Sequence, residues 1–126
     1  MKQILDAVAE FHKAFNHPIA KEPTLISPER ASLRFDLMKE ENEEYLLACS
    51  NNDLVEVADA LGDQLYILAG TMLEHGMQDK ILEVFQEIQR SNMSKLGNDG
   101  KPILREDGKI LKGENYTPPN LKPIFV

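Results

Sequence analysis

The sequence predicts an all-α fold of four helices followed by a short C-terminal hairpin or arm. Three observations lead there. Apolar residues recur at steps of three and four through most of the first 93 positions, the period of an amphipathic helix. Aromatic content is only 6% with no tryptophan, so Leu, Ile, Val, Ala and Met carry the core, a mix that favours helix packing over sheet. The interruptions between periodic runs are short and carry helix-cap residues. At 126 residues and 42% apolar content the chain fits one domain, 1–126, divided into a helical body, 1–95, and an arm, 96–126.

The first helix is expected over 2–15, with Ile4, Val8, Phe11 and Phe15 on one stripe, and "NHPIAKEP" breaks it. Ser27 and Pro28 supply an N-cap and a first-turn proline for a second helix that runs to about Ala48. "CSNND" ends that helix and caps the third, expected from about Leu54 to His75 with Gly76 at the position after its end. A fourth runs from about Asp79 to Met93 on Ile81, Phe85 and Ile88. From Leu96 onward "NDGKPIL" and "EDGKILK" form a near-repeat on two Asp-Gly turns, which predicts a hairpin or ordered arm. Ile103, Leu104, Ile110, Leu111 and Phe125 make it too apolar for a plain linker.

Charge narrows the function. The net charge of −7 argues against nucleic-acid and anionic-membrane partners. It is unevenly spread: residues 1–91 hold 8 Lys+Arg against 17 Asp+Glu, whereas residues 92–126 hold 6 against 4. A phosphate-bearing partner would have to be met by local cations. The lone Cys49 and the lack of a signal or an 18-residue apolar run predict a soluble cytoplasmic protein.

The acids are phased. At about 100° per residue, Leu33, Leu37, Glu41, Glu44 and Ala48 share one face of the second helix, Glu43 points outward and Glu40 lies at the edge. A solvated helix surface accounts for Glu40 and Glu43. It does not suit Glu41 and Glu44, because two unpaired carboxylates among leucines cost several kcal/mol each on burial. On the third helix Leu54, Val57, Leu61, Leu65, Leu68 and Met72 form one stripe, and Glu56, Asp59, Asp63, Tyr66 and Gly70 the opposite one, so both faces read as covered. Glu56 also fits a capping-box partner of Asp53, and Gly62 fits either close approach of a ligand or a helix crossing. Two inward acidic pairs are tolerable in a bundle only around cations. No His stands three residues after a Glu, so the Glu-x-x-His pattern of di-iron bundles is absent and the hard oxygens point to Mg²⁺, with Mn²⁺ as the alternative. Mg²⁺ usually shares its shell with substrate phosphates.

The spacing Glu41-x-x-Glu44 followed by Glu56-x-x-Asp59 resembles the E-x-x-E / E-x-x-D arrangement of the all-α nucleoside triphosphate pyrophosphohydrolases, which group MazG proteins, dimeric dUTPases and phosphoribosyl-ATP pyrophosphohydrolases. "FHKAFNHP", "EVADALGDQLYILAGTMLEHG" and "IQRSNMSKLGNDGKPILREDGKILKG" extend the resemblance, to the phosphoribosyl-ATP-pyrophosphohydrolase-like, MazG-like branch, over nearly the whole chain. The resemblance implies a four-helix MazG-like bundle that cleaves a (d)NTP between the α and β phosphates to NMP and pyrophosphate, as in nucleotide-pool sanitation. Metal ions on Glu41, Glu44, Glu56 and Asp59 would neutralise the triphosphate, with Glu40 or Glu41 accepting the proton of the attacking water. A shifted register aligns Asp63 with the last acid and puts Ala60 where a glutamate belongs; Glu56 and Asp59 are preferred as the pair, with Asp63 an extra ligand or a group behind the ligands. Asn92, Lys95, Lys109 and Lys112 are candidates for phosphate or sugar, against a merely solvated basic arm. Asn16 and His17 are candidates for the base, against a plain turn before Pro18. Arg34 lies near the acidic face, where neutralising a glutamate is the other reading, and Tyr66 is placed to stack on a base or fill the core. A homodimer or homotetramer is expected, since four modest helices leave an apolar face to share. The competing classes are a non-catalytic protein-interaction module and an acidic metal-binding bundle.

Overall fold

A computed structural model describes residues 1–126. The order is α1 (Lys2–Ala14), α2 (Pro28–Ser50), α3 (Leu54–Glu74), α4 (Ile81–Met93), β1 (Ile103–Leu104), β2 (Ile110–Leu111) and a 3₁₀ turn, Lys122–Ile124. The all-α class holds, with four helices and one two-residue antiparallel ladder pairing Ile103 with Leu111 and Leu104 with Ile110. No helix is long and apolar enough to cross a membrane. The chain forms two compact units, Met1–Asp79 and Lys80–Val126, so α4 groups with the arm rather than with α1–α3.

In the first unit, α3 packs against both α1 and α2. One device ends all three helices. Gly76 (φ +68°) follows α3 in the left-handed region, with its N–H bonded to Leu73 and that of Met77 to the Met72 carbonyl. Asn16 (φ +57°) after α1 and Asn52 (φ +52°) after α2 repeat this, with His17 bonding back to His12 and Asp53 to Ala48. These are Schellman caps, in which Gly or Asn supplies the positive φ. The starts are equally local: Ser27 Oγ accepts the Arg30 N–H at 3.2 Å, and Asp53 accepts that of Glu56 at 3.1 Å. Asp53 spends its own N–H on Ala48, so only half a capping box forms and the Glu56 carboxylate stays free.

The buried apolar side chains are Leu5, Val8, Ala48, Ala60, Ala69 and Leu73, three of them alanines, with His12, Arg34 and Glu74 buried beside them. Two expectations are corrected. The leucine stripe of α3 is not covered: Leu54, Leu61, Leu65 and Leu68 are exposed, because α3 turns its small and charged face, with Ala69, Gly70, Leu73 and Glu74, towards its neighbours. On α2 the buried positions are Arg34 and Ala48, while Leu33 is exposed, so the inner face is rotated towards Arg30 and Arg34, which Glu74 draws inward.

In the second unit, the Asp107-Gly108 turn closes the hairpin, with Gly108 at φ +86° and the Arg105 N–H bonded to Lys109. Ser91 is buried and donates to the Thr117 carbonyl, which ties the C-terminal segment to α4. The apolar residues of the arm, Ile103, Leu104, Ile110, Leu111 and Phe125, all remain exposed.

Candidate functional site

The α2/α3 seam gathers the acids. Glu41, Glu44 and Asp63 each bring one carboxylate oxygen within 4.8 Å of the others. Glu41 and Asp63 are half-buried and Glu44 is exposed at the flank. Glu41 Oε2 is shut off from solvent with no hydrogen-bond partner. Burial, then the close and repelling Glu44 carboxylate, with Asp63 and Glu40 adding, push the Glu41 carboxyl up to about 7. Glu44 also lines a recess of about 430 Å³ with Glu56, Asp59, Leu47, Ala48, Asn51 and Ala60. Glu44 thus links two groups: Asp63 stands with Glu41, and Asp59 and Glu56 sit one and two turns before Asp63 in α3. Asp63, read from the sequence as an auxiliary group, is the α3 acid that joins the Glu41 and Glu44 carboxylates in this group. Glu40 and Glu43 are exposed, and Glu43 pairs with Lys39 at 3.8 Å.

The donor set fits a hard divalent cation. Three carboxylates converge, one of them with an oxygen that nothing in the chain satisfies, and such crowding favours uptake of a proton or a cation. Gly62 has open space where a Cβ would stand, so no helix crossing or backbone approach within this chain explains it.

Tyr66, one turn past Asp63 and 41% exposed, meets α1 edge to face at Phe11, the ring centroids 5.6 Å apart. Phe11 stacks on Phe15 at 4.4 Å and contacts His17 at 5.8 Å. His17 and Tyr66 therefore belong to one aromatic cluster with exposed edges, completed by Phe11 and Phe15, which read from the sequence only as core positions. Asn16 serves in the α1 cap, with its side chain exposed. Arg34 is otherwise engaged: it donates to Thr71 Oγ1 at 3.0 Å and to the Ile67 carbonyl at 2.7 Å, and pairs with Glu74 at 3.2 Å. Its reading as a group that neutralises a glutamate is the one the geometry matches, although the partner comes from α3.

Within the second unit, Asn92 and Lys95 line a recess of about 420 Å³ with Met93, Leu96, Pro102 and Ile110. Lys109 and Lys112 are exposed on the hairpin, and the Lys112 ammonium lies 4.8 Å from the centre of the Tyr116 ring.

Comparison with known proteins identifies the family and the fold. The phosphoribosyl-ATP pyrophosphohydrolase family profile matches residues 8–92, which include Glu40, Glu41, Glu44, Glu56, Asp59 and Asp63. The crystal structure of a candidate NTP pyrophosphohydrolase from Exiguobacterium sp. 255-15 is similar over 95% of this chain and 89% of that one, at 30% identity and a TM-score of 0.51. Uncharacterized protein L479 of Acanthamoeba polyphaga mimivirus is 40% identical over 72 residues, 51% of this chain, and the chain spans only 27% of that relative's length. The chain belongs to the phosphoribosyl-ATP pyrophosphohydrolase family of all-α, MazG-like NTP pyrophosphohydrolases.

Proposed function

We propose that the protein is an Mg²⁺-dependent pyrophosphohydrolase that cleaves a nucleoside triphosphate, ribo or deoxy, between the α and β phosphates, giving NMP and pyrophosphate, in the manner of a nucleotide-pool sanitising enzyme. The observation that carries this is the convergence of Glu41, Glu44 and Asp63 around a buried carboxylate oxygen without a partner. These three hold the ion, with Glu56 and Asp59 available from the adjoining recess; Mn²⁺ is the alternative ion. When bound, a divalent ion neutralises the triphosphate and makes water a better nucleophile at neutral pH. Glu41 orients the ion, and Glu40, exposed at the next position, accepts the proton of the attacking water. His17 and Tyr66 offer the base a stacking surface, with Asn16 beside it. Asn92, Lys95, Lys109 and Lys112 supply polar and cationic groups of the kind phosphate and sugar need.

The exposed α2 and α3 leucines support self-association as a homodimer or homotetramer, and the exposed unpaired Cys49 suits a reducing cytoplasm. The test is direct: each NTP and dNTP is incubated with Mg²⁺ and released pyrophosphate is measured. Turnover of at least one nucleotide, abolished by EDTA and by Glu41→Gln, is expected. No turnover, or turnover indifferent to Glu41→Gln, overturns the reading.

A further inference from the structure

The seam holds a second group of charges that the proposed chemistry leaves unused. The Glu74 side chain is fully buried and receives both Arg30 Nε at 2.9 Å and Nη2 at 2.7 Å. Arg34, 5% exposed, adds its contact at 3.2 Å and also grips Thr71 and the Ile67 carbonyl. Gly70 makes the room: a Cβ there would lie 2.7 Å from Arg34 Nη2 and 2.7 Å from His12 Nε2.

The pairs along α2 and α3 keep one antiparallel register. Arg30 meets Glu74, Arg34 meets Thr71, Glu41 meets Asp63, and Asn42 accepts a hydrogen bond from Gln64 at 3.0 Å. Little apolar packing near the acids fixes that register on its own, because Ala48 and Ala60 are the small buried contacts there and Leu54, Leu61, Leu65 and Leu68 face outward. A one-turn slip would cost such a seam little, yet it would strand Glu74 away from a two-pronged guanidinium in a desolvated place, which costs far more. Arg34 lies seven residues before Glu41, about 10 Å along the helix, and Ile67 one turn beyond Asp63, so the grip is close enough to govern both.

We propose that Arg30, Arg34 and Glu74, with Gly70 as the space they require, form a clamp that sets the register of α2 against α3 and so holds Glu41 and Asp63 at ligand distance. These are positioning residues. The register half of the proposal is independent of any ion; the consequence for metal affinity rests on the divalent-metal reading.

The test uses full-length protein with Cys49→Ser and the reporter pair Asn42→Cys and Gln64→Cys, one position past Glu41 and Asp63. In EDTA, dibromobimane becomes fluorescent on bridging two nearby thiols, and its yield reports the register. Glu74→Gln and Gly70→Ala in this background are expected to keep their helical circular dichroism and lose most of the bridged product. In the natural Asn42/Gln64 background they are expected to bind Mn²⁺ about ten-fold more weakly by calorimetry, as for loss of a group that orients ligands. Unchanged bridging in a variant that stays helical overturns the clamp. If Glu74→Gln unfolds, Gly70→Ala decides, since alanine favours helix and only the displaced side chains oppose it. If the parent binds no Mn²⁺ the metal reading fails, and the bridging yield still decides the clamp.

Discussion

Glu41 is under two demands that water alone cannot reconcile: its backbone position turns it into the seam, and its neighbours there are other carboxylates. In metal-free protein its carboxyl, pushed up to about 7, binds a proton more tightly folded than unfolded. Stability from this group is therefore present below the unfolded value near 4.5 and lost as pH rises to about 7. Burial holds His12 below its ordinary value, which gives the opposite slope, stability lost as pH falls below 6.5. The difference between the parent and Glu41→Gln cancels His12, so urea midpoints in EDTA at pH 5 and pH 7.5 should show the parent losing more than the variant on going to pH 7.5. Equal losses would show that Glu41 is not titrating in the seam. Helical phase in the sequence put Glu41 inside and Glu43 outside, as found, but also put Glu44 inside, where the structure leaves it exposed at the flank. It was blind to Glu74, because the arginines that neutralise it stand about 40 residues away in the chain.

The helices carry their punctuation in the sequence, which is why their ends were legible to within about two residues: Ser27-Pro28, Asp53 and Gly76 each act within one turn of where they stand. Less legible was the reciprocal half of the Asp53 capping box, since a competing acceptor, the Ala48 carbonyl, becomes available only once α2 has ended. Gly76 is the least replaceable of the three left-handed residues that end helices. A Cβ there would stand 2.1 Å from the Glu22 carbonyl oxygen, besides the ordinary 1–2 kcal/mol for a left-handed alanine. Gly76→Ala should cost more than about 2 kcal/mol in urea unfolding, whereas an effect below 1 kcal/mol would mean that the 18–27 segment is not packed there.

At the scale of the whole chain, the periodicity correctly grouped Leu54, Leu61, Leu65 and Leu68 on one stripe but does not say which stripe the chain itself will cover. A helix apolar on more than one side can face either way, and here buried ion pairs decided the matter. The expected outcome is a stable oligomer in light scattering, with the double variant Leu61→Lys, Leu68→Lys running as a folded monomer; the subunit contact should bury on the order of 1,600 Å². A parent that is monomeric at micromolar concentration contradicts this. The segment between α1 and α2 has a different kind of consequence. Ala20 and Thr24 donate their amides to the Leu73 and His75 carbonyls, and Gln78 reaches back to the Ala20 carbonyl at 2.7 Å. Though it is written as a loop, this strap is a closing stitch on α3. Its two amides should therefore exchange with deuterium no faster than the last turn of that helix, the two opening together as one cooperative unit rather than one by one.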